Sequence, residues 1–71
     1  MFIYPNPASQ QIFINASGKI ERISITDVLG KTVFEKNENP TSINIQHLTN
    51  GIYFLKCYSE KGLFDFKFIK E

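Results

Sequence analysis

Short runs in which apolar and polar residues alternate, each closed by a turn former, constrain this chain more than any other feature. In "RISIT", Ile23 and Ile25 alternate with Arg22, Ser24 and Thr26. In "IYFLKCYS", Tyr53, Leu55 and Cys57 alternate with Ile52, Phe54, Lys56 and Tyr58, and in "LFDFKFIK", Phe64, Phe66 and Phe68 alternate with Asp65, Lys67 and Ile69. A period of two belongs to a strand with one buried face and one wet face, whereas a helix would repeat near 3.6. Between the runs stand "ASGK", "DVLGK", "NENPTS", "TNG" and "SEKG", all rich in residues that turn the backbone. The pattern predicts an all-β fold, a small sandwich of about six or seven antiparallel strands with Greek-key connections. Strands are expected at residues 11–15, 20–27, 31–36, within 43–48, at 52–59 and from 63 to the end. Lys56 belongs in solvent, which turns Tyr53, Leu55 and Cys57 inward. Phe64, Phe66 and Phe68 are expected to face the core as well.

At 71 residues the chain holds one domain, near the lower limit at which a single core offsets chain entropy. Its 42% hydrophobic and 21% charged residues are those of a folded globular domain. Seven Phe and three Tyr are expected to supply much of the core, because each large aromatic buries about 150–250 Å². The first strand is preceded by "YPNPA". Pro5 and Pro7 fix φ, lack an N–H and push the residues before them toward extended geometry. Residues 1–8 therefore read as a stiff, extended lead-in with no ladder hydrogen bonds, and residues 9–71 as the sandwich.

A formal charge of +1, with basic and acidic residues interspersed, provides no field for a polyanion, so nucleic acid is not an expected partner. The longest apolar run is far short of the roughly 20 residues of a membrane-spanning helix. One cysteine, Cys57, excludes an internal disulfide and a cysteine-based zinc site. One histidine, His47, and scattered carboxylates assemble no triad, metal cluster or cofactor site, so no catalytic, metal-binding or cofactor-binding residue is assigned and no enzymatic activity is expected. "SGK" at Ser17 lacks the first glycine and the spacing of a phosphate loop. Asn15-Ala16-Ser17 fits a glycosylation sequon in composition only.

Four pieces, in order and covering nearly the whole chain, carry a resemblance: "YPNPA" leading into "QIFI", "ISITDVLGKTV", "LTNGIYFLKC" and "KFIKE". Together they resemble the type A C-terminal sorting domain of type IX secretion in Bacteroidetes, also called the Por secretion system C-terminal sorting domain. The resemblance implies an Ig-like sandwich whose role is an address on a preceding cargo. The cargo would pass through the periplasm, be recognised by the translocon and its shuttle components, cross the outer membrane, and be released or displayed at the surface. A surface sortase commonly removes such a domain at a point upstream of the first strand.

Carried over residue by residue, Pro5, Asn6 and Pro7 match the opening motif, and Gly30-Lys31 the turn after the second predicted strand. Gly51 and Tyr53 match the G-x-Y start of the penultimate strand, and Lys67, Phe68, Ile69, Lys70 and Glu71 the terminal strand. The glycines suit turns, and Tyr53 suits the core. Two roles are open for the prolines, a protease-accessible boundary or the start of an edge strand. Two are also open for the terminal strand: its edge could pair with a receptor while Lys67 and Lys70 place charge at the rim, or the lysines could only block edge-to-edge aggregation. An alternative function is an Ig-like accessory module that binds carbohydrate or protein, for which Phe54 and Tyr58 on an outer face are the suggestive pair.

Overall fold

The computed structural model describes residues 1–16 and 18–71. Its elements are all strands: β1 (Phe2–Tyr4), β2 (Gln11–Asn15), β3 (Ile20–Thr26), β4 (Thr32–Asn37), β5 (Ser42–Asn44), β6 (Gly51–Ser59) and β7 (Gly62–Lys70). They form two antiparallel sheets, one ordered β1-β2-β5 and the other β4-β3-β6-β7. The β4–β5 connection, containing Pro40, leaves the larger sheet and sets β5 beside β2, the long return of a Greek key distributed over two sheets. Asn39, at φ 56°, accepts the Ile20 N–H on its side-chain oxygen at 3.0 Å and ties this crossing to the start of β3. The turn expected at residues 16–19 and the sequon match both include Ser17, which lies outside the described residues.

The core between the sheets is built chiefly from isoleucine. Ile12 and Ile14 of β2 and Ile43 of β5 face Ile23 and Ile25 of β3 and Leu55 and Cys57 of β6, with Ile20, Ile45 and Leu48 closing the ends. β-branched residues suit this role because their stiff side chains stand well on a pleated surface. The expectation that aromatics fill the core is corrected: of the ten, only Tyr53 and Phe68 are buried. Burial fades along β7 from Phe68 at 0% exposure, through half-buried Phe66, to Phe64 at 37%. All three stand on the inner face, opposite Tyr53, Leu55 and Cys57, but a roof of strands three to five residues long cannot cover a nine-residue edge strand.

A register shift between Ile20 and Arg22 against β6 lets Ile20 point inward although Ile23 and Ile25 lie at the opposite parity. One extra residue in a strand has this effect because side chains alternate faces. A second shift, between Ile25 and Thr26 against β4, skips Val33.

Residues 1–8 do not form a lead-in free of ladder hydrogen bonds. Phe2–Tyr4 pairs with Phe13–Asn15 as an edge strand, and Ala8 is 2% exposed and bridged in parallel to Lys70. The sandwich therefore begins at Phe2, not at residue 9.

Candidate functional site

The backbone of Tyr4–Ala8 leaves the smaller sheet at Pro5 and lies along the outer edge of β7 in the larger one. The Tyr4–Pro5 and Asn6–Pro7 bonds are both cis. Between the prolines, the Asn6 carboxamide does what a strand's peptide group would do. Its Nδ2 donates to the Lys67 carbonyl at 3.1 Å, and its Oδ1 accepts the Ile69 N–H at 3.0 Å. Two residues on, the Ala8 N–H donates to the Ile69 carbonyl, and the Ala8 carbonyl accepts the Glu71 N–H, both at 2.8 Å. Pro5 and Pro7, lacking N–H groups, leave these positions to Asn6 and Ala8.

This clamp bears directly on the roles expected for the terminal strand. The outward backbone groups from the Lys67 carbonyl to the Glu71 N–H are occupied by the chain's own N-terminal segment and are not an open edge. Lys67 is exposed as expected. Lys70 is not at the rim: it shares the inner face with Phe68, is 7% exposed, and its Nζ donates to the Glu71 carbonyl at 3.3 Å. Its parity with Phe64, Phe66 and Phe68 carried that signal in the sequence. Ile69 remains 41% exposed on the outer face, opposite Ile52.

Gly51 pairs with Lys70 and adopts φ 154°, in the region where a side chain would be strained. Tyr53 is 5% exposed and stacks on its cross-strand partner Phe68 with ring centroids 5.6 Å apart. Its hydroxyl donates to the Thr49 carbonyl at 2.7 Å and lies 3.2 Å from the Thr49 hydroxyl. The ring thus fills the core while its polar tip secures the "LTNG" turn, the same device as the tyrosine corner of Ig-like sandwiches.

The turn Asp27–Lys31 is held by Asp27 from four directions. Its Oδ1 accepts the N–H groups of Leu29 at 2.9 Å and Lys31 at 3.0 Å. Its carbonyl accepts the Gly30 N–H at 3.1 Å, and its own N–H donates to the Lys31 carbonyl at 3.0 Å. Gly30 supplies the φ of 86° that closes the turn. This frame displays Val28 at 64% and Leu29 at 90% exposure. Neither was singled out from the sequence, although two aliphatic residues between Asp27 and Gly30 in a turn were a readable signal.

The strand registers bring the four motif pieces to one end of the larger sheet. Thr26, which opens the Asp27–Lys31 turn, pairs with Phe54; Gly51 pairs with Lys70; and Asn6 bonds Lys67 and Ile69. The β6–β7 hairpin, closed by the Ser59 hydroxyl between the Lys61 N–H and the Gly62 carbonyl, lies at the other end.

Two aromatic groupings remain. Phe54 and Tyr58 are on the outer face of β6 as expected, but Lys56 stands between them and the Arg22 guanidinium lies over the Tyr58 ring at 4.2 Å. The smaller sheet carries a row the sequence reading missed: Phe2, Tyr4 and Phe13, all more than a third exposed, with successive centroids 5.8 and 5.5 Å apart. Cys57 is fully buried, and desolvation pushes its thiol above the ordinary range, which keeps it unreactive. His47 packs near the Phe34 ring at 6.1 Å.

Among the described residues no helix is long and apolar enough to cross a membrane. No match emerges among curated proteins. A family model, that of the secretion system C-terminal sorting domain, matches residues 2–71 and so takes in both the Pro-Asn-Pro clamp and the strand it holds. With that span matched, the chain belongs to the type IX secretion C-terminal sorting domain family, a module that follows a cargo and marks it for export.

Proposed function

We propose that the end of the sandwich where the four motif pieces converge is the face by which the export machinery recognises this address. The observation that carries the reading is Leu29: a large aliphatic side chain at 90% exposure, on a turn fixed by four hydrogen bonds centred on Asp27. Exposed apolar groups cost little singly, but a rigid turn loses little further entropy when its tip enters an apolar pocket. Val28 and Leu29 supply the apolar contact, and Lys31 an adjacent charge. The chain acts as an address and performs no chemistry of its own.

In this reading the domain meets the type IX translocon and its shuttle components after passage to the periplasm, and a surface sortase separates it from the cargo. The cut falls upstream of Phe2, because Phe2–Tyr4 is paired into a sheet and Pro5–Ala8 is bound to β7, whereas a protease requires a free extended backbone.

A reporter carrying a signal peptide at its N-terminus and this domain at its C-terminus tests the proposal in a type IX-competent bacterium and in a secretion-null mutant. Export from the first and retention in the second is expected. Equal retention in both, with the domain folded, overturns the reading.

The Phe2–Tyr4–Phe13 row favours a second reading, an accessory module for glycan or protein. The interplanar angle of 25° between Tyr4 and Phe13 sets ring against ring, however, so their facing surfaces are not open to stack on a sugar. Titration with soluble glycans, followed through the ring resonances of these three residues, distinguishes the two: shifts at Tyr4 and Phe13 would support the accessory module.

A further inference from the structure

Hydrogen bonds along the outer edge of β7 follow a regular grammar. Asn6 bridges the Lys67 carbonyl and the Ile69 N–H, opposite Phe68, and Ala8 bridges the Ile69 carbonyl and the Glu71 N–H, opposite Lys70. Outward-facing groups therefore belong to odd-numbered residues, as the alternation of a strand requires. Continuing by the same step toward Gly62, the next two positions pair the Asp65 carbonyl with the Lys67 N–H, opposite Phe66, and the Leu63 carbonyl with the Asp65 N–H, opposite Phe64. Among the described residues nothing occupies either position, because the chain turns away at Pro5 to join the other sheet.

The other sheet edges are blunted. β1 and β5 are three residues long, and β4 carries Lys36 at the inward-facing position opposite Ile23, a charge placed where an added strand would bury it. The open half of β7 carries no inward-facing charge: its inner positions are Phe64 and Phe66, and its charges, Asp65 and Lys67, stand on the outer face. Leu63 is 53% exposed on the outer face and Phe64 37% exposed on the inner one, so both faces present apolar surface beside the free backbone groups.

Resting on the sorting reading above, we infer that this half-edge, Leu63 to Lys67, accepts an extended segment of a partner protein in the export pathway. The partner supplies two bridging backbone groups in the places next to Asn6, with apolar side chains on both sides to cover Phe64 and Leu63. The domain already shows that this edge takes hydrogen-bonding groups from a segment laid beside it, since the Asn6 carboxamide and the Ala8 backbone fill the neighbouring places. A second copy of the chain fits poorly: self-pairing about Asp65 sets two carboxylates directly opposite each other, which is destabilising.

The test uses the same signal peptide–reporter–domain fusion with two substitutions that spare the β6 pairing. Asp65→Pro removes an outward N–H, and Phe64→Lys copies the guard that Lys36 provides on β4. Gln46→Lys, an equal charge change on an exposed turn, serves as the control. Circular dichroism and thermal melting of each domain establish folding, and export is measured in the type IX-competent strain. Wild type and Gln46→Lys are expected to be exported alike, and both edge variants, folded, to fall at least tenfold. Export of either folded edge variant within twofold of wild type overturns the inference while leaving the sorting reading intact. If Asp65→Pro fails to fold, Phe64→Lys decides alone. A wild-type fusion that is not exported overturns the sorting reading, and this inference with it. A concentration-dependent dimer that both variants abolish would also overturn it, by assigning the edge to self-association.

Discussion

Asn6 and Ile69, 63 residues apart, are joined by a hydrogen bond from the Ile69 N–H to the Asn6 side-chain oxygen at 3.0 Å. Its partner, from Asn6 Nδ2 to the Lys67 carbonyl, makes one side chain the link between the beginning of the fold and its last strand. Replacing Asn6 with Ala removes both bonds. Each such bond contributes about 0.5–1.5 kcal/mol, and because these are exposed the lower end applies to each. Asn6→Ala is expected to lower the unfolding free energy by about 1 kcal/mol in urea titration. It should also speed hydrogen exchange at the Ile69 amide while leaving that of Leu55 governed by global unfolding.

Tyr53 and Phe68 separate polar from apolar contributions at one contact. Tyr53→Phe keeps the stacked ring and loses the bond to the Thr49 carbonyl, an expected cost of about 1 kcal/mol. Phe68→Ala empties the centre of the core and is expected to cost about 3–5 kcal/mol. A domain of this size has little stability in reserve, so denaturant titration should show the first variant folded with a lowered midpoint and the second largely unfolded in buffer.

Leu29 distinguishes recognition from folding. With its side chain in solvent, Leu29→Ser is expected to change the unfolding free energy by no more than about 0.5 kcal/mol, as for ordinary surface substitutions. Export of a reporter fusion should nonetheless fall at least tenfold. Asp27→Ala, which removes the acceptor of two N–H groups, should reduce both stability and export. Unimpaired export of a folded Leu29→Ser fusion would remove the turn from the recognition face.

Cys57 links stability to alkaline pH. Burial raises its pKa in the folded state above the unfolded value of roughly 8.5. The folded state therefore holds the thiol proton more tightly, and the associated stability is complete below the unfolded pKa. It declines as pH rises from there through the folded pKa. Between pH 8 and 10, wild type should lose more stability than Cys57→Ala when both are followed by urea midpoints. At neutral pH, iodoacetamide should label the native thiol only as fast as the domain unfolds.

Legibility in the sequence followed the range of the interactions. β3, β6 and β7 were readable because two-residue alternation records which face is buried, and the Asp27–Lys31 and Glu60–Lys61 turns because their residue types are local signals. β1 was not, since three residues followed by Pro5 carry almost no period, and missing it concealed the Phe2–Tyr4–Phe13 row. Nor could the partner of Asn6 be read: its bonds span the whole chain, and an asparagine between prolines suits a linker and a strand mimic equally. The aromatic count misled because five of the ten rings, Phe2, Tyr4, Phe13, Phe54 and Tyr58, stand on the outer faces of the two sheets, while the short three-stranded roof leaves inner-facing Phe34, Phe64 and Phe66 only partly covered.

The Asn6–Ala8 clamp also makes the fold a check on its own completeness. β7 leaves the ribosome after the other six strands, and until Lys67 to Glu71 have emerged, Asn6 and Ala8 have nothing to hold. A polypeptide stopped short of those residues would also leave Gly51 and Tyr53 without Lys70 and Phe68. The end of the sandwich that gathers all four motifs is thus assembled only once Lys67 to Glu71 are present, so that shape alone can tell a domain that has its last strand from one that lacks it.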